Sequence, residues 1–74
     1  MRNASQIIQR APGILGGTPV FAGTRVPIQT LLDYLAAGDR LDDFLDEFPT
    51  VSHQQAVAFL ELAKEAAVAE ASSP

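Results

Sequence analysis

The placement of glycine and proline divides this chain in two. Four of its five glycines (Gly13, Gly16, Gly17 and Gly23) fall within eleven positions, with Pro12 and Pro19 beside them and Pro27 just beyond. Glycine costs a helix interior about 1 kcal/mol and proline about 3 kcal/mol, so no helix propagates through this stretch. Residues 7–26 are therefore expected to form a small β element of two or three short extended pieces. Pro12-Gly13 marks a turn, Gly16-Gly17 a second break and Ala22-Gly23 a third. Pro19 biases Thr18 away from helix, so Thr18–Phe21 reads as extended.

From Pro27 onward the spacing is helical. Pro27 suits a first helical turn, and Ile28, Leu31, Leu32 and Leu35 follow at intervals of three and four. Gly38 stands where a left-handed cap would end that helix. Leu41, Phe44, Leu45 and Phe48 mark a second, short helix, with Asp42 and Asp43 in its first turn where they complement the dipole. Pro49 ends it. Ser52 and Gln55 form a capping-box pair for a third helix running to about Ala71. On a wheel, Ala56, Phe59, Leu60, Leu62, Ala63, Ala66 and Ala67 cover an arc of roughly 200°. Such an arc exceeds what one small core needs. Phe59 and Leu62 are expected in the chain's own core, and Val57 and Val68, on the other side, at an interface with another chain.

With 74 residues the length allows one domain, residues 1–74, made of a β element over 7–26 and a helical bundle over 27–71. The fold class expected is mostly α with a small N-terminal β element, a three-helix, helix-turn-helix-like bundle. There is no cysteine, so neither disulfides nor a thiolate metal site can staple it, and one histidine excludes a multi-histidine site. A chain this short buries little surface for the entropy it loses, which favours association with a second copy. The net charge is −4, with only five Lys and Arg, so phosphates gain no general attraction. Met1 to Arg10 lacks the apolar stretch of a signal peptide, and no run approaches the roughly 20 apolar residues of a membrane span. No membrane partner is expected, and the expected compartment is the cytoplasm.

Residues 12–28, Pro-Gly-Ile-Leu-Gly-Gly-Thr-Pro-Val-Phe-Ala-Gly-Thr-Arg-Val-Pro-Ile, resemble the signature of the domain of unknown function 433 family. The elements carrying the resemblance are Gly16, Gly17 and Pro19, then Gly23, Thr24 and Arg25, then Pro27. The later order also fits: Gly38, an acidic second helix, Phe48-Pro49 and a capped third helix. The likeness covers residues 7–62. It implies a small antiparallel β element ahead of a helix-turn-helix-like bundle, and a role akin to VapB-type antitoxins, which are paired with PIN-like nuclease toxins. The chain departs from a complete antitoxin in having little sequence after the bundle, where toxin-neutralising segments usually lie.

Few residues suggest chemistry. Arg25 stands between a glycine turn and a proline. Its planar fork is expected to bond backbone carbonyls or a carboxylate such as Asp46 or Glu47 and so tie the β element to the helices, with a phosphate or partner contact as the lesser reading. Thr24 is expected to cap the first helix. No helix or P-loop lysine follows Gly16-Gly17, so these read as turn glycines rather than a phosphate cradle. The acids Asp39, Asp42, Asp43, Asp46 and Glu47 alternate with apolar helix positions and read as a solvated face. No nucleophile–base pair is apparent, so no catalytic residue, metal or cofactor is assigned and an enzyme is not expected. His53 and Gln54 lead the third helix. They are the residues that would contact DNA if that helix entered a major groove, and Gln54 could pair with adenine.

The sequence thus points to an antitoxin-like binding protein that forms a homodimer and neutralises a PIN-like nuclease toxin, with autoregulation of its operon as a further role. The alternatives are a DNA-binding transcriptional regulator without a toxin partner, and a purely structural dimerisation module.

Overall fold

A computed structural model describes residues 6–10 and 17–72. Gly16 and the Pro12-Gly13 turn lie outside the described residues. The element order is β1 (Ile8–Gln9), β2 (Val20–Phe21), α1 (Ile28–Ala36), α2 (Leu41–Glu47) and α3 (His53–Ser72). The strands pair antiparallel, Ile8 opposite Phe21 and Gln9 opposite Val20. A single bridge from Val20 to Pro27 adds the beginning of a third, and the fold is mostly helical with a small N-terminal sheet, as expected.

Pro27 does not occupy the first helical turn. It is extended, at φ −63° and ψ 139°, and precedes the first helical residue, Ile28. The bridge to Val20 holds it there, and the Ile28 N–H donates to the Pro19 carbonyl at 3.2 Å instead of to a helix cap. At the other end of α1 the Gly38 expectation holds. Gly38 takes φ +91°, its N–H donates to Leu35 O at 3.1 Å, and the Asp39 N–H donates to Tyr34 O at 2.9 Å. This pair of bonds is a Schellman cap.

α2 begins with half a capping box. The Asp43 carboxylate accepts the Arg40 N–H at 2.8 Å, and the arginine side chain offers no acceptor in return. α3 begins with the other half. Ser52 Oγ accepts the Gln55 N–H at 3.0 Å, but the Gln55 side chain does not reach back to Ser52. Its Nε2 donates instead to the carbonyl of Ala22, 33 residues earlier, at 2.9 Å. That bond ties α3 to the tip of the β element. Gln55→Ala is expected to cost about 1 kcal/mol, the net worth of one neutral hydrogen bond. Thermal unfolding should show the melting point falling by about 4–8 °C for a domain of this size.

The core is built around rings. All five aromatic side chains join one network: Phe59 meets Phe21 with centroids 5.6 Å apart, Phe21 meets Phe44 at 6.0 Å, and Phe44 meets Tyr34 at 5.6 Å and Phe48 at 5.0 Å. Most contacts are edge-to-face or tilted, the arrangements that ring quadrupoles favour. Phe21, Phe44, Leu31 and Ala56 are fully buried, and Ile7, Val26, Val51 and Phe59 complete the cluster.

α3 contributes less of its length than the wide arc suggests. Ala56 and Phe59 are buried, and Leu60, Leu62 and Ala63 are half-buried against the core, but every residue from Lys64 to Ser72 is exposed. The body of the domain ends at about Ala63, so Ala66 and Ala67 have nothing to pack on. A run of alanines continues the helix beyond its support because extending a helix needs no new nucleus.

Candidate groove beside the glycine turn

The loop between β2 and α1 is held from several sides. Phe21, Ala22, Gly23 and Thr24 form a turn closed by the Thr24 N–H to Phe21 O bond at 3.0 Å, with Gly23 at φ +79°. That backbone region disfavours any residue with a Cβ. The Phe21 N–H donates to Val26 O at 2.9 Å across the base of the loop. Thr24 Oγ1 donates to Phe21 O at 2.8 Å and accepts the Val26 N–H at 3.0 Å. Thr24 is therefore not a cap of α1; it sits four residues before Ile28 and closes the loop upon itself. Gln9 reaches over from β1, its Oε1 accepting the Gly23 N–H at 3.0 Å, and Gln55 holds Ala22 O from α3.

Gln9 carries no signal in the sequence, and Gln55 carries only that of a capping box. Their bonds span 14 and 33 residues, and nothing in the local pattern of either segment signals a partner so distant. Of the other motif residues, Gly17 has φ +89°, in keeping with a turn glycine, and Pro19 supplies the carbonyl that starts α1.

Arg25 lies at the tip of this clamped loop and is exposed. It does not meet the acids of α2. The ion pairs join Arg40 to Asp42 at 3.6 Å and Lys64 to Glu61 at 2.9 Å, while Arg25 makes none among the described residues and Asp46 and Glu47 are exposed. The expected tie between the β element and the helices thus exists, but neutral Gln55 makes it. Arg25 instead lines an open groove of about 600 Å³ between the loop and the segment joining α2 to α3. Val26, Pro27 and Phe48 supply its apolar surface, and Gln9, Arg25 and Thr50 its polar margin.

The remaining candidates lie elsewhere. His53 and Gln54 are exposed in the first turn of α3. Val57 and Val68 are also exposed, Val68 at 59%. Intervals of four, three and four place Val57, Glu61, Lys64 and Val68 on one helix face, so the Glu61–Lys64 pair stands between the two valines. No group of three metal-ligating side chains occurs among the described residues, and none of the described helices is long and apolar enough to cross a membrane.

Comparison with known proteins gives a consistent result. The family described as "Protein of unknown function (DUF433)" matches residues 8–63. An uncharacterized protein, y4eO, from Sinorhizobium fredii is 38% identical over 52 residues, which is 70% of this chain and 24% of that protein. A crystal structure of a DUF433 member from Anabaena variabilis superposes with a TM-score of 0.70 at 26% identity, covering 84% of this chain and 61% of that one. The chain thus spans about a quarter of one relative's length and three-fifths of the other's.

Proposed function

This chain belongs to the DUF433 family of proteins of unknown function, and from that premise we propose that it acts by protein–protein binding, as an antitoxin-like module that dimerises and sequesters a PIN-like nuclease. The observation that carries the reading is the outer half of α3. Nine residues extend past the body of the domain, about 13 Å at 1.5 Å per residue, with Val68 the most exposed large apolar side chain described. Together with Val57 it offers two apolar contacts on either side of an ion pair, a pattern suited to a mixed, moderately polar interface. The acidic balance of the chain favours a partner with a basic surface.

The test begins with sedimentation at micromolar concentration. The chain should run as a dimer, and the double variant Val57→Asp, Val68→Asp as a monomer with unchanged helicity, because neither valine is in the core. Co-purification with the product of an adjacent small nuclease-like reading frame, and loss of that nuclease's activity in the complex, would be the functional counterpart. A monomeric wild type that leaves the nuclease active would sink the proposal. The competing reading, a DNA-binding regulator, would gain only from a tight sequence-specific complex that depends on His53 and Gln54. Random duplex at physiological salt should bind weakly to a chain of this charge.

A further inference from the structure

We propose that the groove beside Arg25 is a docking site for a partner segment carrying a carboxylate next to an apolar side chain. This rests on the reading of the chain as a protein-binding module and names a second, separate surface for it. Much of the fold holds the backbone around Arg25 in place. Thr24 closes the loop with two side-chain bonds, Gln9 fixes Gly23, Gln55 fixes Ala22, and Pro27 restricts the exit from the loop. Every one of these ties is made by backbone or by a neutral side chain. None engages the guanidinium, which stands exposed and without an ion pair among the described residues, whereas Arg40 and Lys64 each face a carboxylate. The backbone beneath this cation is ordered in advance, so binding costs only the rotamer freedom of the arginine side chain and not the ordering of a loop.

The neighbouring surface decides the occupant. Val26, Pro27 and Phe48 give the groove an apolar floor, and its polar margin at Gln9 and Thr50 carries no charge to compete with Arg25. A planar guanidinium beside apolar surface matches a carboxylate whose own neighbour is apolar, because the fork can take both oxygens. At about 600 Å³ the groove suits two or three side chains rather than a folded surface. A nucleic-acid phosphate would suit Arg25 alone but brings no apolar side chain to cover Val26, Pro27 and Phe48, so the groove as a whole favours the carboxylate segment.

The test uses the whole chain, labelled with nitrogen-15, titrated with the blocked peptide acetyl-Leu-Glu-Leu-amide and with its uncharged analogue acetyl-Leu-Gln-Leu-amide. The glutamate peptide should move the amide signals of Gly23, Thr24, Arg25 and Thr50 and bind about fivefold more tightly than the analogue, the upper range for an exposed ion pair. Arg25→Gln should abolish that preference while melting with wild type, and Arg25→Lys should restore part of it. Equal binding of the two peptides by the wild-type chain, or a preference that survives Arg25→Gln, would overturn the proposal. So would shifts of the same amides on simple dilution, which would give the groove to a second copy of the chain. Failure here leaves the α3 interface untouched, and a monomeric chain that still prefers the glutamate peptide would separate the two readings in the opposite sense.

Discussion

Phe44→Ala is expected to remove roughly 3–5 kcal/mol of stability, the cost of truncating a fully buried aromatic ring. Phe44 has no solvent exposure and stacks against three other rings, Phe21, Tyr34 and Phe48, which come from β2, α1 and the end of α2. A domain of 74 residues has about 4–11 kcal/mol in total. The variant should therefore lose most or all of its cooperative transition in urea or heat, followed by far-ultraviolet circular dichroism. Phe44→Leu, which keeps much of the volume, should retain a transition at a lower midpoint. A Phe44→Ala protein melting within a few degrees of wild type would mean that the ring network does not organise the core.

Thr24→Val is the second large effect, and it separates two adjacent residues. The substitution keeps the shape and deletes the hydroxyl, so the bond donated to Phe21 O and the bond accepted from the Val26 N–H both vanish. Val26 is 8% exposed, and the bond to its amide is half-buried. Leaving a half-buried donor unpaired, with a second bond lost, should cost about 2–3 kcal/mol. The melting point should fall by about 10 °C or more. Thr24→Ser should recover most of this, since the hydroxyl is restored and only a methyl group is lost. The neighbouring exposed Arg25 should tolerate replacement without loss of stability. If Thr24→Val melts like wild type while Arg25 variants unfold, the assignment of structural and contact roles is reversed.

The contrast between these two residues shows where local pattern stops being informative. The glycine turn, the Schellman end at Gly38, the Ser52 cap and the periodic apolar positions of α1 and α2 are all short-range features. Each is set by backbone sterics or by hydrogen bonds within a few residues, and each was legible. The misplaced roles all depend on long-range approach. Thr24 resembles a cap because it precedes a helix, yet the helix starts later, where Pro27 is held extended by Val20. Gln55 completes a capping-box spacing, yet its side chain, instead of accepting the Ser52 N–H, donates to the Ala22 carbonyl. Arg25 has acids a short helix away, yet the loop carries it to the groove instead.

By itself, the sequence determined the class and order of the elements, because these follow from glycine and proline sterics and from the helical period, and its signature residues carried the family; of the apolar set read for α1, Leu31 is buried but Leu32 is left exposed. The tertiary structure alone decided what the signature residues do. Packing Phe21 between Phe44 and Phe59 seats β2 against the bundle, and that docking selects the partners of the loop. It brings Ala22 within reach of Gln55, keeps Arg25 out of an ion pair with Asp46 or Glu47, and sets Phe48 beside Val26 and Pro27. Hydrogen-bond and ion-pair choices are decided at separations of about 3 Å, and spacing along the chain does not encode distances that fine between segments 14 to 33 residues apart.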